Sequence, residues 1–179
     1  MLQSIPELQR LVPNLQIIHL TGKHGYQEAK EFYNGMGIRS FVSEFCSDIG
    51  IAYRLSDLVI SRSGANTIAE ITAVGIPAVL IPYPYATDNH QYWNAYELSS
   101  AGGALIIKQE ELEPERVIKI VSDLLMNDER LDNMKKINKS LRKPFAAAKV
   151  ADKICQTLEE KKAKKNLFSF ACPVSREMT

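Results

Sequence analysis

Five short apolar runs, each followed by a stretch with helical spacing, constrain this chain more than any other feature of its sequence. The runs are Leu15 to Leu20, Arg39 to Phe45, Leu58 to Ser61, Ala78 to Pro82 and Ala104 to Ile107. Runs of that length and apolarity are strands buried on both faces, and helical segments between them are the signature of βαβ units. The sequence therefore predicts an α/β fold with a Rossmann-like parallel sheet and helices on both faces. Helices are expected over Tyr26 to Asn34, Ile49 to Leu55, Ala65 to Val74 and Asn89 to Ala101, with Gly35, Gly37, Gly75 and Gly102 at their stops.

Beyond Ile107 the pattern turns helical. Val117, Ile120, Val121 and Leu124 repeat at i, i+3, i+4 and i+7, the spacing of one helix face. A second such segment carries Leu131, Met134, Ile137 and Leu141 and ends near Pro144, and a third carries Val150, Ile154 and Leu158. A chain of 179 residues has room for one domain with a real core. The expected division is one domain over 1–160 and a basic, disordered tail over 161–179. The tail reads as a solvated terminus, with weak contact to an anionic membrane surface as the sharper alternative.

A net charge of +1 gives no global attraction to nucleic acid, so nucleic acid is not an expected partner and any anion binding must be local. The start of the chain has no basic segment followed by an apolar core, and no run approaches the roughly 20 apolar residues of a membrane span. A cytoplasmic protein is the expectation, with peripheral contact at the inner face of the cell membrane as a further option. Cys46, Cys155 and Cys172 are far apart and not spaced like a zinc site, and His19, His24 and His90 are equally scattered. No metal site and no cofactor are expected.

The stretch richest in chemistry is LVISRSGANTIAE, Leu58 to Glu70, which reads as strand, small-residue turn and helix. At a helix start several N–H groups lack intrahelical acceptors and the macrodipole is positive, so a diphosphate is favoured there. Ser63 can cap the helix, Gly64 lets a ligand approach the backbone, and Ala65 and Asn66 supply amides. Thr67 and Glu70 share a helix face, where a carboxylate could accept hydrogen bonds from both hydroxyls of a ribose. A turn that merely caps its helix reads the same way, and this segment alone leaves both open.

The second stretch is PYPYATDNHQYWNA, Pro82 to Ala95. It follows the next strand, so its loop should emerge at the same carboxyl edge of the sheet, and the two loops should converge on one crevice. Thr87 or Asp88 can cap the helix, leaving Asn89, His90 and Gln91 in its first turn. Neutral donors and acceptors of that kind suit sugar hydroxyls and an acetamido group. The plainer reading has Asp88 capping, Tyr92 and Tyr96 packing, and Asn89 to Gln91 facing water. Trp93 reads as core rather than as a sugar-stacking platform.

Taken in order, RSGANTIAE, GIPAVLIPYP, DNHQYWNA and AGGALII, with IIHLTGK and the SEF before Cys46 upstream, resemble the C-terminal domain of the MurG family over most of Leu15 to about Leu158. That family comprises the UDP-N-acetylglucosamine:undecaprenyl-diphospho-muramoylpentapeptide N-acetylglucosaminyltransferases. The resemblance implies the C-terminal half of a GT-B glycosyltransferase. Ser63, Gly64, Ala65 and Asn66 then fall at the diphosphate, Thr67 and Glu70 at the nucleotide and its ribose, Cys46 at the uracil, and His90 and Gln91 at the N-acetylglucosamine. His19 and Gly22 are weaker candidates for the cleft edge.

The implied reaction is an inverting transfer of N-acetylglucosamine from UDP-N-acetylglucosamine to lipid-linked muramoyl-pentapeptide in peptidoglycan biosynthesis, lipid I to lipid II. No catalytic base is assigned, because the family pattern offers it, and the acceptor site, in an N-terminal domain that these residues do not resemble. The family's first strand, with its glycine-rich turn, also lacks a counterpart here, and without it unpaired strand edges and a marginally stable or aggregation-prone product are expected, inactive as an enzyme on its own. A donor-binding subunit of a two-chain N-acetylglucosaminyltransferase and a non-catalytic remnant are the alternatives.

Overall fold

Each of the five apolar runs contains a strand, and every strand pairing is parallel. The computed structural model describes the backbone of residues 1–170 and the side chains of residues 1–162. In chain order the elements are α1 (Ile5–Leu11), β1 (Ile17–Leu20), α2 (Gly22–Met36), β2 (Ser40–Ser43), α3 (Ile49–Leu55), β3 (Val59–Ser61) and α4 (Ala65–Val74). Then follow β4 (Ala78–Leu80), α5 (His90–Ser100), β5 (Ala104–Ile106), α6 (Pro114–Leu125), α7 (Asp128–Ser140) and α8 (Ala146–Phe170). The chain divides into two compact units, Met1–Arg142 and Lys143–Thr179.

The strands of the first unit form two ladders rather than one continuous sheet. β1 pairs with β2, Ile17 opposite Ser40, and β4 lies between β3 and β5, with Val79 opposite both Ile60 and Leu105. No ladder joins β1 to β3. The consequence shows in burial: β4, with a partner on each side, is buried throughout, whereas β1 and β3, each with one partner, are only half-buried.

Alternation along β4 sends its side chains to two cores, one on each face of the sheet. Ala78 and Leu80 pack with Tyr53, Ile71, Ala95 and Leu98 from α3, α4 and α5. Val79 and Ile81 pack with Leu8, Tyr33, Val117, Leu124 and Met134 from α1, α2, α6 and α7. Such two-sided burial is the reason β4 reads as an unbroken apolar run.

Helix boundaries follow local chemistry. Asp48 caps α3, its Oδ1 accepting from the Ile51 amide at 3.3 Å, and Asn127 caps α7 through a 2.9 Å bond from the Arg130 amide. α4 stops at Gly75, whose φ of 83° is left-handed and where a side chain would meet Lys139. Gly37 stops α2 in the same way, but Gly35, expected at a stop, lies inside that helix. α7 is pinned by Asn138, fully buried, whose Nδ2 donates to the carbonyls of Ile76 at 2.6 Å and Gly103 at 2.9 Å.

The second unit consists of α8 and the residues around it. Val150, Ile154 and Leu158 are all exposed along this helix. The sequence reading places a boundary at 160, yet the helix continues through the lysine cluster to Phe170. Lysine, alanine and glutamate are strong helix formers, and nothing between Leu158 and Phe170 interrupts them. The remainder of the expected tail, 171–179, lies outside the described residues, as does Cys172. Among the described residues, no helix is long and apolar enough to cross a membrane.

Candidate functional site

The turn after β3 and the loop after β4 meet at the carboxyl edge of the second ladder, and hydrogen bonds tie them together. Ser63 Oγ donates to the Gln91 carbonyl at 2.7 Å, and Asn94 Nδ2 donates back to the Ser63 carbonyl at 3.1 Å. Arg62 lies beside them, its Nη1 donating to the carbonyls of Ile81 at 3.2 Å and Pro82 at 3.3 Å while its guanidinium sits 5.6 Å from the Tyr83 ring centre. The expected convergence of two loops is present, held by Arg62 and Asn94, which the sequence reading did not single out.

The capping role expected of Ser63 is corrected by this geometry. Its side chain is fully buried and its hydroxyl is committed to α5, so it points away from the start of α4. The cap position belongs to Gly64, which has no side chain to offer, and the first intrahelical bond runs from the Ile68 amide to the Gly64 carbonyl at 3.0 Å. The amides of Ala65, Asn66 and Thr67 therefore begin the helix with no side-chain acceptor, on a largely exposed surface. A side chain at Gly64 would meet only Thr67 Oγ1, at 3.9 Å, so the approach to these amides is open.

The loop after β4 also departs from expectation. Neither Thr87 nor Asp88 caps α5, because Asp88 and Asn89 both adopt left-handed backbone conformations, φ 51° and 52°, and Asn89 occupies the cap position without a side-chain bond. The helix proper starts at His90. His90 Nδ1 donates to the Thr87 carbonyl at 2.8 Å, since a carbonyl can only accept, which in the neutral form of this exposed ring leaves Nε2 as an acceptor. Gln91 Oε1 accepts from the Tyr83 amide at 3.0 Å, which leaves its Nε2 as a donor. Trp93, expected in the core, is 58% exposed and forms a surface cluster with Tyr92 and Tyr96.

On the other side of α4, Glu70 Oε2 accepts from the Tyr53 hydroxyl at 3.3 Å. Burial, followed by the adjacent Glu70 carboxylate and this bond, pushes the Tyr53 hydroxyl up to about 12. Tyr53 belongs to α3, whose preceding loop carries Cys46; the Cys46 thiol is half-buried and lies 3.2 Å from the Asp48 carbonyl. Asp48 caps α3, so Cys46 is linked through that helix to Tyr53 and Glu70. His19 Nδ1 lies 3.1 Å from the Tyr33 hydroxyl, and burial lowers its pKa, so its polar contact is with α2. Gly22 opens α2 with a φ of 69° and donates its amide to the Glu44 carbonyl. Among the described residues, no group of three or more His, Cys, Asp or Glu side chains could hold a metal ion.

Residues 1–154 match the glycosyltransferase family 28 C-terminal domain. The chain is 44% identical over 138 residues to the UDP-N-acetylglucosamine--N-acetylmuramyl-(pentapeptide) pyrophosphoryl-undecaprenol N-acetylglucosamine transferase of Halothermothrix orenii, covering 74% of this chain and 37% of that protein. It is 38% identical over 158 residues to the protein of the same name from Myxococcus xanthus, covering 88% of this chain and 41% of the relative. The crystal structure of Acinetobacter baumannii MurG superposes with a TM-score of 0.78 at 31% identity, covering 87% of this chain and 44% of that one. The chain thus spans about two fifths of the length of the curated relatives it matches. With 154 of its 179 residues inside the family match, and with both strand-to-helix turns within that span, the chain belongs to the glycosyltransferase family 28 C-terminal domain family.

Proposed function

We propose that the two joined turns hold UDP-N-acetylglucosamine and that the chain is the donor-binding part of an inverting glycosyltransferase. That enzyme would pass N-acetylglucosamine to lipid-linked muramoyl-pentapeptide in peptidoglycan biosynthesis. The observation that carries the reading is the open, uncapped start of α4 at Gly64, tied through Ser63 to the loop bearing His90 and Gln91. The names of the relatives supply the donor and the acceptor.

Each group then has a task its chemistry suits. The diphosphate lies on the amides of Ala65, Asn66 and Thr67, where the helix dipole favours an anion, with Gly64 providing the approach and Ser63 shaping the turn from beneath. Glu70 accepts from the ribose hydroxyls, and the backbone around Cys46 borders the uracil. His90 Nε2 accepts from a sugar hydroxyl, and Gln91 Nε2 donates to one or to the acetamido oxygen. When the acceptor hydroxyl attacks C1 and UDP departs, the charge growing on the diphosphate is met by those same amides. No residue of this chain is assigned as the base. The lipid-linked acceptor would be met at the inner face of the cell membrane.

Titration of the 15N-labelled chain with UDP and with UDP-N-acetylglucosamine tests the reading. Saturable shifts of the Gly64 to Thr67 amides with both nucleotides are expected, and of the His90 and Gln91 signals with the sugar nucleotide alone. The absence of any such shift at ligand concentrations well above about 1 mM, the range of a binding free energy of about −4 kcal/mol, overturns it.

A further inference from the structure

The carboxylate assigned above to the ribose has a protein partner of its own, and that partner has no other evident reason for its polarity. Tyr53 projects from α3 into the core shared with Ile71, Ile76 and Leu80, and the residue is only 8% exposed. A phenylalanine would fill that volume as well. The hydroxyl reaches Glu70 Oε2 at 3.3 Å, 17 residues away in sequence and on the next helix. Of the two groups only the phenol can donate, because an ionised carboxylate accepts alone.

The bond restrains a side chain that is otherwise free to rotate. Glutamate has three flexible torsions, and fixing them when a ligand binds opposes binding. With Oε2 held from below by Tyr53, rotation is limited before any nucleotide arrives, and Oε1 carries no hydrogen bond among the described residues. One oxygen is anchored and the other remains for a pair of neighbouring hydroxyls.

We propose that Tyr53 is a positioning residue that fixes Glu70 for the diol of a ribonucleotide and thereby selects ribonucleotides over their 2′-deoxy counterparts. This rests on the ribose assignment to Glu70. Hydroxyl recognition is sensitive to geometry, so an oriented carboxylate separates a diol from a single hydroxyl better than a wandering one does. The phenol, protonated even at its ordinary value of 10.0 and pushed up to about 12 here, holds its donor proton across the whole neutral range.

The test compares affinities for UDP and 2′-deoxy-UDP in the wild-type chain and in Tyr53→Phe, Glu70→Ala and the double variant, with thermal unfolding measured alongside. The expected results are a wild-type preference for UDP, its loss in Glu70→Ala, a reduction of about threefold or more in Tyr53→Phe, and a double variant no different from Glu70→Ala. A Tyr53→Phe ratio equal to wild type, with Glu70→Ala still losing the preference, overturns the positioning role and leaves the ribose assignment standing. Equal losses for both nucleotides in Tyr53→Phe also overturn it, since that is the signature of general structural damage. A wild-type preference that survives Glu70→Ala, or no wild-type preference at all, removes the ribose assignment and the positioning role together. Tyr53→Met, which retains apolar bulk without a hydroxyl, carries the same comparison should the phenylalanine variant not fold.

Discussion

Ser63 Oγ donates a 2.7 Å hydrogen bond to the carbonyl oxygen of Gln91, 28 residues later, and so clamps the turn after β3 to the first turn of α5. The return bond from Asn94 to the Ser63 carbonyl makes the clamp reciprocal. Because Ser63 is wholly buried, its hydroxyl serves the protein rather than a ligand. Ser63→Ala should therefore cost about 1 kcal/mol of stability through the lost bond. It should also weaken UDP-N-acetylglucosamine more than UDP, since the sugar side of the site depends on where α5 starts. Urea unfolding and paired titrations read the two effects. A variant as stable as wild type, with an unchanged ratio of affinities, would show that the clamp does not set the site.

Gly64 separates ligand access from folding. Its φ of −64° suits any residue, and an added methyl would meet nothing nearer than Thr67 Oγ1 at 3.9 Å. Gly64→Ala should change stability by less than about 0.5 kcal/mol. Affinity for UDP should nevertheless fall about tenfold, or about 1.4 kcal/mol, because the methyl stands where phosphate oxygens approach the amides. Unchanged affinity in a folded Gly64→Ala protein would place the diphosphate elsewhere.

Asn138 tests the packing of α7. Its amide satisfies two carbonyls, Ile76 and Gly103, at the ends of the segments that flank β4 and β5, and Gly103 leaves no room for a side chain beside Asn138 Oδ1. Asn138→Ala leaves both carbonyls without that donor, with an expected cost of about 2 to 4 kcal/mol. Asn138→Asp should cost at least as much, since it sets a carboxylate against two carbonyl oxygens. Chemical denaturation showing a loss below about 0.5 kcal/mol for either variant would mean that the pair of bonds contributes little.

What the sequence made legible follows from where the determining forces act. β4, buried on both faces, must be apolar throughout, and the other four strands, only partly buried, keep enough of that pattern to be readable; α3 and α4 were readable to the residue because Asp48 and Gly75 bound them locally. The meeting of the two loops followed from strand order alone. The direction of the Ser63 hydroxyl did not, because a serine before a helix reads as a cap unless its partner 28 residues away is known. Asp88 and Asn89 are both good caps and both tolerant of left-handed backbone, and composition does not say which property is used. The reach of Arg62 across to Pro82, the Tyr53 to Glu70 bond and the exposure of Trp93 are all tertiary outcomes without a local signal.

Alkaline titration offers a last check on the Tyr53 and Glu70 pair. The Tyr53 hydroxyl is pushed from the ordinary value of 10.0 up to about 12 by burial and by the neighbouring carboxylate. A phenol whose pKa is higher in the folded state than in the unfolded chain holds its proton longer when folded. Its contribution to stability is therefore complete below pH 10 and is lost as pH rises from 10 toward 12, where the unfolded chain binds fewer protons. Tyr33 is raised as well, by burial, so the wild-type profile contains both groups. The difference between wild type and Tyr53→Phe isolates one of them: stability of the wild type should fall relative to the variant across that window, and the two should run parallel below it. Equilibrium unfolding at a series of pH values, with phenolate absorbance followed in the folded protein, provides the comparison. Parallel curves throughout would show that Tyr53 titrates alike in the folded and unfolded chains, and that the Glu70 carboxylate does not act on it.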